Sequence, residues 1–408
     1  MQYIKRSLES KFLKMNSFFK VMLVTGARQV GKTTMLKHLA AEEKRTYISM
    51  DNLLARNLAK NDPELFFQRY KPPIIIDEIQ KAPELLEQIK LMCDESEETG
   101  QFWLTGSQKF GTMKAVQESL AGRIGILELF SLSKNEIDGV FFDNEQDFSL
   151  NTLLARQKQV TPNNILDIYQ YIWSGGMPYI LHADSDQRNE YLNSYIETYL
   201  LRDAAELGGI TDALKFRRFL TACAALIAEQ VNYKTLADAV DISQPTAKSW
   251  LQLLQALNII YLLEPYYNNE LKRLAKTPKL YFYDTGLAAY LSMWPTAETL
   301  INGAISGHYF ENFVIMELLK SFSYQSAKVN LSYYRDANAK EIDIIVEKNG
   351  YLHPLEIKKS ANPNLREVKK FSLLDKGHLQ RSAGGIICLS NEIIPIDKLN
   401  SLIPCNLL

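Results

Sequence analysis

Residues 26–34 have the sequence GARQVGKTT, a glycine-rich stretch with the residue types needed to hold a phosphate group. Its glycines let the backbone curl until successive N–H groups point at a phosphate, and a helix that begins there adds the positive end of its dipole. Lys32 would reach the β- and γ-phosphates of a nucleoside triphosphate, and the Thr33 hydroxyl would coordinate Mg²⁺. The stretch therefore predicts ATP and Mg²⁺ as cofactors. The predicted nucleotide-binding residues are Gly26, Ala27, Arg28, Gln29, Val30, Gly31, Lys32, Thr33 and Thr34.

The flanking segments favour this interpretation over an ordinary glycine-containing turn. Residues 19–25 are apolar and β-branched, which is typical of a buried strand, and residues 33–41 have the pattern of a helix. A strand, a glycine-rich loop and a helix in that order form a phosphate-binding unit.

Two adjacent carboxylates end a second apolar run, residues 72–78 (PPIIIDE). Asp77 would hold Mg²⁺ through a water molecule, and Glu78 would polarise the water that attacks the γ-phosphate. An acidic pair after a strand can also be a solvated turn. Because the same chain carries the phosphate loop, we predict that Lys32 and Glu78 are catalytic.

A third strand-like run, residues 101–105, is followed by Gly106, Ser107 and Gln108. Ser107, or alternatively Gln108, would hydrogen-bond the γ-phosphate or the attacking water. Arg123 ends a predicted helix and is a candidate arginine finger, supplied either within one subunit or by a neighbouring subunit of a homo-oligomer. The alternative is an arginine that stabilises the C-terminal end of its own helix.

A second set of polar residues near the C-terminus could also do chemistry. Glu311 lies on a predicted helix, Asp343 on a strand, and Glu356 and Lys358 on the strand that follows. Period-2 alternation puts Glu356 and Lys358 on one face. Glu311, Asp343 and Glu356 would bind one or two Mg²⁺ ions, and Lys358, not itself a ligand, would position the hydrolytic water of a nuclease. The alternative is a carboxylate that only pairs with the lysine.

Residues 232–265 have the pattern of two helices joined by a tight turn, and the runs at 259–263 and 279–283 would form a β-wing. The second helix would present polar side chains that can touch phosphates or base edges. This winged helix-turn-helix would serve either as a DNA-binding module or as a lid or protein-docking module. The predicted contact residues are Gln244, Thr246, Lys248 and Ser249, with Lys272, Arg273 and Lys276 in the wing.

The order of the elements predicts the architecture. Alternating strands and helices in residues 1–135 predict an α/β P-loop NTPase domain, with a parallel sheet and nucleotide at the carboxyl ends of its strands. Residues 136–220 form a predicted helical lid or connector, in which Arg202 either senses nucleotide or forms a surface ion pair. The winged helix-turn-helix occupies residues 221–300, and a nuclease-like α/β domain occupies residues 301–408.

Composition narrows the classes of partner. The formal net charge is −1 over 408 residues, so any nucleic-acid surface must be a local patch. The four cysteines are far apart without paired spacing, which argues against a zinc or disulfide framework. We find no secretory leader and no apolar run of membrane-spanning length. We therefore expect a cytoplasmic protein without a membrane partner.

Taken together, these motifs resemble a family of bacterial and archaeal AAA-type ATPases in which the ATPase domain is followed by a conserved C-terminal region of undefined function. The resemblance extends over nearly the whole chain. It rests on GARQVGKTT, IIIDEIQ, LTGSQ, ESLAGR, the GGMP turn, the winged-helix stretch, YFYDTGL, EIDIIV and LEIKKS. It implies ATP binding and hydrolysis with Mg²⁺, and a C-terminal module similar to PD-(D/E)XK nucleases.

Three functions are compatible with the sequence. In the first, the nucleotide cycle of an AAA+ type ATPase repositions the winged-helix and C-terminal regions on DNA. In the second, the C-terminal carboxylates form an ATP-gated, metal-dependent nuclease. In the third, slow hydrolysis times a switch that binds protein partners. Metal-dependent cleavage separates the second function from the others, and DNA-stimulated hydrolysis separates the first from the third.

Overall fold

A computed structural model of the protein describes residues 3–41, 44–106, 116, 119–142, 144–162, 164–266, 277–336 and 338–408. The chain divides into two compact units. The first unit comprises residues 1–132 with 256–258, and the second comprises residues 133–255 with 259–408. The predicted phosphate loop belongs to the first unit, and the predicted nuclease-like site belongs to the second.

A parallel sheet, five-stranded in the described residues, forms the centre of the first unit. Its strands are β1 (Val21–Thr25), β2 (Thr46–Ser49), β3 (Ile74–Asp77), β4 (Phe102–Thr105) and β5 (Ile124–Glu128). Their spatial order is β2-β3-β4-β1-β5, so β4 lies between β1 and β3. The parallel α/β sheet predicted from the alternating pattern is therefore confirmed. The three strands that carry the predicted nucleotide motifs are direct neighbours.

Apolar sequence explains why these three strands are central. Every residue of β1, β3 and β4 is buried, as expected for strands that are covered on both faces. Ile74 and Ile76 share one hydrophobic core with Leu85 and Ile89 of a following helix. The α-helices with described bounds in this unit are α1 (Leu8–Asn16), α2 (Lys32–Leu39), α3 (Leu53–Asn61), α4 (Pro63–Arg69) and α5 (Leu85–Glu95).

Helices make up the first part of the second unit. They are α6 (Lys134–Asp138), α7 (Leu150–Gln157), α8 (Ile165–Ser174), α9 (Ser185–Tyr195), a π-helical turn (Ile196–Leu200), α10 (Leu201–Gly208) and α11 (Ala213–Ala225). Side-chain caps start several of them, and the carboxylate of Asp184, for example, accepts a hydrogen bond from the Gln187 N–H at the start of α9.

Two helices and a hairpin follow, in the order expected for a winged helix-turn-helix. They are α12 (Tyr233–Val240), α13 (Gln244–Ala256), β6 (Ile260–Leu263) and β7 (Lys279–Phe282). The two strands pair antiparallel. Lys272, Arg273 and Lys276, which were predicted to lie in the wing, fall outside the described residues. The identification of this region as a winged helix stays a prediction.

The last part of the second unit contains a mixed sheet. Helices α14 (Thr285–Leu291), α15 (Ala297–Asn302) and α16 (Ser306–Ser323) precede it. Its strands are β8 (Val329–Arg335), β9 (Glu341–Lys348), β10 (Tyr351–Lys358), β11 (Gln380–Arg381), β12 (Gly384–Cys388), β13 (Ile394–Pro395) and β14 (Asn400–Pro404). Strands β8, β9 and β10 are antiparallel neighbours, whereas β10, β12 and β14 are parallel. A 3₁₀ segment, Leu365–Lys376, separates β10 from β11.

A tight turn fixes the register of the β9–β10 hairpin. Asn349 and Gly350 both have positive φ, 53° and 80°, as a two-residue hairpin turn requires. Because side chains alternate along a strand, this register decides which residues of β9 and β10 share a face.

Candidate functional site

The glycine-rich loop connects β1 to α2 in a conformation that few residues adopt. Gly26 has a φ of 136°, Gln29 of 67° and Gly31 of 97°. A Cβ atom at Gly26 would lie 2.1 Å from the carbonyl oxygen of Leu129, so no side chain fits there. Gly31 forms the N-cap of α2, which brings the N-terminus of that helix to the loop.

Lys32 is the first residue of α2 and is only 6% exposed. Its ammonium donates hydrogen bonds to the backbone carbonyls of Gly26, at 3.0 Å, and Ala27, at 2.8 Å. Burial lowers the pKa of Lys32 to about 8, although the charges of Glu78 and Asp77 oppose that shift. Both acceptors are neutral, so an anionic phosphate would be a stronger partner for this buried charge. The loop therefore fits a phosphate group.

Asp77 accepts hydrogen bonds from three hydroxyl groups. The Thr33 hydroxyl lies 2.6 Å from Oδ1 of Asp77, and the Thr105 hydroxyl also lies 2.6 Å from Oδ1. The Tyr47 hydroxyl lies 3.1 Å from Oδ2. Thr33 and Asp77, the two predicted magnesium residues, are thus in direct contact, and oxygen donors of this kind suit Mg²⁺. We call Asp77 with Thr33, Thr105 and Tyr47 the Asp77 cluster.

Glu78 follows Asp77 in a left-handed conformation, with a φ of 60°. Its backbone N–H donates a 3.0 Å hydrogen bond to the Thr105 hydroxyl, and its carboxylate accepts from the Gln80 amide. A non-glycine residue in this conformation persists only when its surroundings hold it there. Thr105 therefore contacts both members of the predicted acidic pair: the side chain of Asp77 and the backbone N–H of Glu78.

Thr105 and Tyr47 were not predicted from the sequence. Each lies on a strand next to β3: Thr105 ends β4, and Tyr47 lies on β2. Burial and the Asp77 charge raise the pKa of Tyr47 to about 12, so the phenol stays a hydrogen-bond donor at neutral pH. The sequence did carry one signal for Thr105: it is a hydroxyl residue at the carboxyl end of the strand-like run 101–105.

Arg6 is a further residue that sequence reasoning missed. It is 3% exposed, and its guanidinium donates to the carbonyls of Val30, at 2.8 Å, and Phe130, at 2.6 Å. Arg6 thereby links the phosphate loop to the segment after β5. Among the other predicted loop residues, Gln29 and Thr34 are exposed.

The structure places the remaining predicted residues of the first unit as follows. Ser107 and its alternative Gln108 lie outside the described residues. Arg123 forms a 2.6 Å ion pair with Asp94 of α5 and donates to the carbonyl of Ala121 at 3.0 Å. Its partners in this structure therefore belong to its own unit, and the arginine-finger role stays a prediction.

In the second unit, the hairpin brings together three of the four predicted nuclease residues. Lys358 Nζ lies 3.0 Å from Oε2 of Glu356 and 3.4 Å from Oδ2 of Asp343. The Ile357 N–H donates to Asp343 at 2.8 Å. Burial and the nearby Asp343 charge raise the pKa of Glu356, which is fully buried, to about 8. Lys370 also reaches Glu356, at 2.7 Å.

Glu311 has different partners. It lies 3.0 Å from the ammonium of Lys279 and accepts a 2.6 Å hydrogen bond from the Tyr281 hydroxyl. Lys279 also pairs with Glu341 at 2.5 Å. Each of the three predicted metal ligands thus has a lysine partner, and the described residues contain no group of three His, Cys, Asp or Glu side chains arranged to hold a metal ion. This arrangement differs from the predicted three-carboxylate site, because each of the three carboxyl groups is paired with an ammonium group.

The predicted DNA-contacting helix is α13. Gln244, Lys248 and Ser249 are exposed on it, and Thr246 is half-buried with its hydroxyl 2.8 Å from that of Ser243.

The Arg202 guanidinium lies 3.7 Å from the Asp203 carboxylate and 3.9 Å from the Glu206 carboxylate, and all three residues belong to α10. Within the segments that the structure describes, no helix combines the length and apolar character needed to cross a lipid bilayer.

Family models match three parts of the chain. Residues 18–138 match a model described as an AAA domain. Residues 165–298 and 306–408 match two models, each described as a domain of unknown function (DUF8612 and DUF4143). The first match includes the five described strands of the parallel sheet together with the phosphate loop and the Asp77 cluster.

Similar proteins occur in bacteria and archaea. An uncharacterized protein of Mycobacterium tuberculosis is 28% identical over 358 residues, which are 87% of this chain and 74% of that protein. An uncharacterized protein of Methanocaldococcus jannaschii is 23% identical over 330 residues, which cover 73% of this chain and 67% of that protein. Among solved structures, the Walker-type ATPase of Pyrococcus abyssi is similar with 15% identity and a TM-score of 0.44, covering 71% of this chain and 96% of that one.

Proposed function

We propose that the AAA-type P-loop ATPase domain in residues 18–138 hydrolyses ATP at the Asp77 cluster. The observation that carries this proposal is the 2.6 Å hydrogen bond from the Thr33 hydroxyl to the Asp77 carboxylate. Thr33 directly follows Lys32, whose side chain is buried in the phosphate loop. The phosphate loop, a magnesium-binding hydroxyl and an acidic pair are the parts that this reaction requires.

Some residues of the proposed site bind the phosphates and Mg²⁺, and one residue accepts a proton. Lys32 and the N-terminus of α2 bind the phosphates, and Thr33 and Asp77 would hold Mg²⁺, which supplies charge neutralisation on the β- and γ-phosphates. Glu78 orients a water molecule and accepts its proton as the water oxygen bonds to the γ-phosphorus. The bond from that phosphorus to the bridging oxygen of ADP breaks, and the products are ADP and inorganic phosphate.

Thr105→Val tests the Asp77 cluster directly. Thr105 donates to Asp77 and accepts from the Glu78 N–H, so valine keeps the shape but leaves both groups without that partner. An unpaired buried polar group costs about 1–3 kcal/mol, and about 1.4 kcal/mol corresponds to a tenfold change in rate. We expect kcat to fall about tenfold or more, with a higher Mg²⁺ requirement and little change in ATP affinity.

Steady-state phosphate release over a Mg²⁺ titration measures this effect, and Thr99→Val is the matched control. Thr99 is exposed and lies just before β4, so the control should behave like the unaltered protein. Unchanged turnover in Thr105→Val would show that the cluster does not position the catalytic carboxylates.

A second candidate function is metal-dependent cleavage of DNA in the second unit, gated by the nucleotide cycle. The observation that favours it is the meeting of Asp343, Glu356 and Lys358 on one hairpin. Cleavage would require a metal ion to displace the lysine partners of these carboxylates. If DNA instead stimulates ATP hydrolysis without being cut, the chain is an ATPase that acts on DNA through exposed residues such as Lys248. If DNA is not cut and does not stimulate ATP hydrolysis, the protein-binding switch is the remaining candidate function.

Asp343→Asn separates these outcomes. Asparagine can still accept the Ile357 hydrogen bond but carries no charge to bind a cation. We expect any cleavage of a DNA duplex in Mg²⁺ or Mn²⁺ to be lost in this variant, while Glu392→Gln, a change at an exposed carboxylate, leaves it intact. Gel electrophoresis of the duplex checks the prediction, and equal cleavage by both variants would exclude this site.

A further inference from the structure

The second unit contains a cavity of about 390 Å³ whose lining is strongly basic. Four of its lining residues are cationic: Lys340, Arg366, Lys369 and Lys370. The one carboxylate among the described lining residues is Glu367. We call this cavity the basic cleft. In a chain whose net charge is −1, such a concentration of cations is a local feature.

The 3₁₀ conformation of Leu365–Lys376 explains how the basic cleft is built. Side chains three residues apart eclipse one another in a 3₁₀ helix, so the segment has three rows of side chains. Val368, Phe371 and Leu374 form a buried row that packs into the core with residues of the sheet. Arg366, Lys369 and Ser372 form the next row, and all three line the cleft. The hydrophobic row therefore fixes the basic row in place.

Most of the charge in the basic cleft is available to a partner. Lys370 is already engaged, since its ammonium lies 2.7 Å from Glu356 and 3.1 Å from Glu367. By contrast, Lys340, Arg366 and Lys369 are exposed, and their side chains form no ion pair with any residue that the structure describes. Three like charges around one cavity repel each other unless an anion lies between them.

We propose that the basic cleft binds the phosphodiester backbone of a nucleic acid. The proposal rests on the function proposed above only in that it takes DNA as the partner class, and it adds a binding site that needs neither ATP nor a metal ion. Lysine and arginine are the side chains that contact backbone phosphates, and closely spaced phosphates match closely spaced cations.

The lining also predicts the type of recognition. No aromatic side chain is among the described lining residues, so these residues lack the aromatic platform on which bases stack in single-strand binders. Contacts made by ammonium and guanidinium groups to phosphates carry no sequence information. Binding should therefore be independent of sequence, steeply dependent on salt, and at least as tight for a duplex as for a single strand.

Fluorescence anisotropy of the full-length protein with labelled single-stranded and duplex DNA, in EDTA and without nucleotide, tests the proposal. The variant is Arg366→Ala combined with Lys369→Ala. Loss of two charged contacts should weaken duplex binding at least about tenfold. It should also reduce the slope of log affinity against log salt by about 1.8, since each phosphate contact contributes about 0.9.

A matched control removes the same charge elsewhere in the unit. Lys328→Ala combined with Lys398→Ala alters two exposed lysines outside the basic cleft and should bind like the unaltered protein. Basal ATP hydrolysis should be unchanged in both double variants, so a failure of the ATPase proposal would be seen separately. Equal losses in both double variants, no DNA binding by the unaltered protein, or loss only in Lys248→Ala would each overturn the proposal.

Discussion

Replacing Glu78 with glutamine is expected to lower kcat for ATP hydrolysis by about 10²–10⁴-fold, the usual contribution of a general base. Glutamine has the size of glutamate but cannot accept the proton of the attacking water. The backbone of residue 78 is held by the Thr105 hydroxyl, so the substitution should leave the turn after β3 in place. ATP affinity should change little, because Glu78 contributes to the chemical step rather than to phosphate binding.

Phosphate release and the affinity for a fluorescent ATP analogue, measured on the same preparation, check this expectation. Glu84→Gln is the matched control, because Glu84 is an exposed carboxylate in the same unit. Unimpaired hydrolysis in Glu78→Gln would remove Glu78 from the role of base. A parallel loss of ATP binding would assign it to the binding site instead.

Lys32→Ala is expected to weaken nucleotide binding by at least about a hundredfold. The ammonium of Lys32 is buried, and among the described residues it donates hydrogen bonds only to the neutral carbonyls of Gly26 and Ala27, so phosphate oxygens would provide its strongest contacts. Hydrogen bonds between charged groups contribute about 1.5–3 kcal/mol each, and about 2.7 kcal/mol corresponds to a hundredfold change in affinity.

Titration calorimetry with ATP and Mg²⁺ measures this loss. The control is Lys60→Ala, which removes one exposed lysine from α3 of the same unit. Alanine at position 32 suits the first turn of a helix, so the fold should survive. ATP binding of normal strength in Lys32→Ala would mean that the phosphates bind elsewhere.

The local part of the nucleotide site could be predicted from the sequence. Gly26 to Thr34 and Asp77 with Glu78 lie in contiguous motifs, where the order of residue types determines the chemistry. Thr105 and Tyr47 could not be assigned in this way, since their contacts with Asp77 depend on which strands are neighbours in the sheet. Arg6 could not be assigned from the sequence either, because its partner Phe130 is 124 residues away along the chain.

The predicted nuclease-like site could also be predicted only in part, because some of its contacts join elements that are distant in sequence. Alternation along β10 was enough to predict that Glu356 and Lys358 share a face, and Asp343 was grouped with them because it lies on the preceding strand of the hairpin. Lys279 and Lys370, which pair with Glu311 and Glu356, come from β7 and from the 3₁₀ segment, and no local pattern links those elements to the hairpin. The row of Arg366 and Lys369 was also missed, because a spacing of three residues is equally compatible with an ordinary α-helix and does not by itself indicate a cleft.

Hydrolysis of ATP by the purified protein in Mg²⁺, compared with the same protein in EDTA and with Lys32→Ala in Mg²⁺, tests the central claim most directly. We expect phosphate release in the first sample and background release in the other two. Release that persists in EDTA, or that is equal in Lys32→Ala, would contradict the assignment of a magnesium-dependent ATPase site to the phosphate loop and the Asp77 cluster.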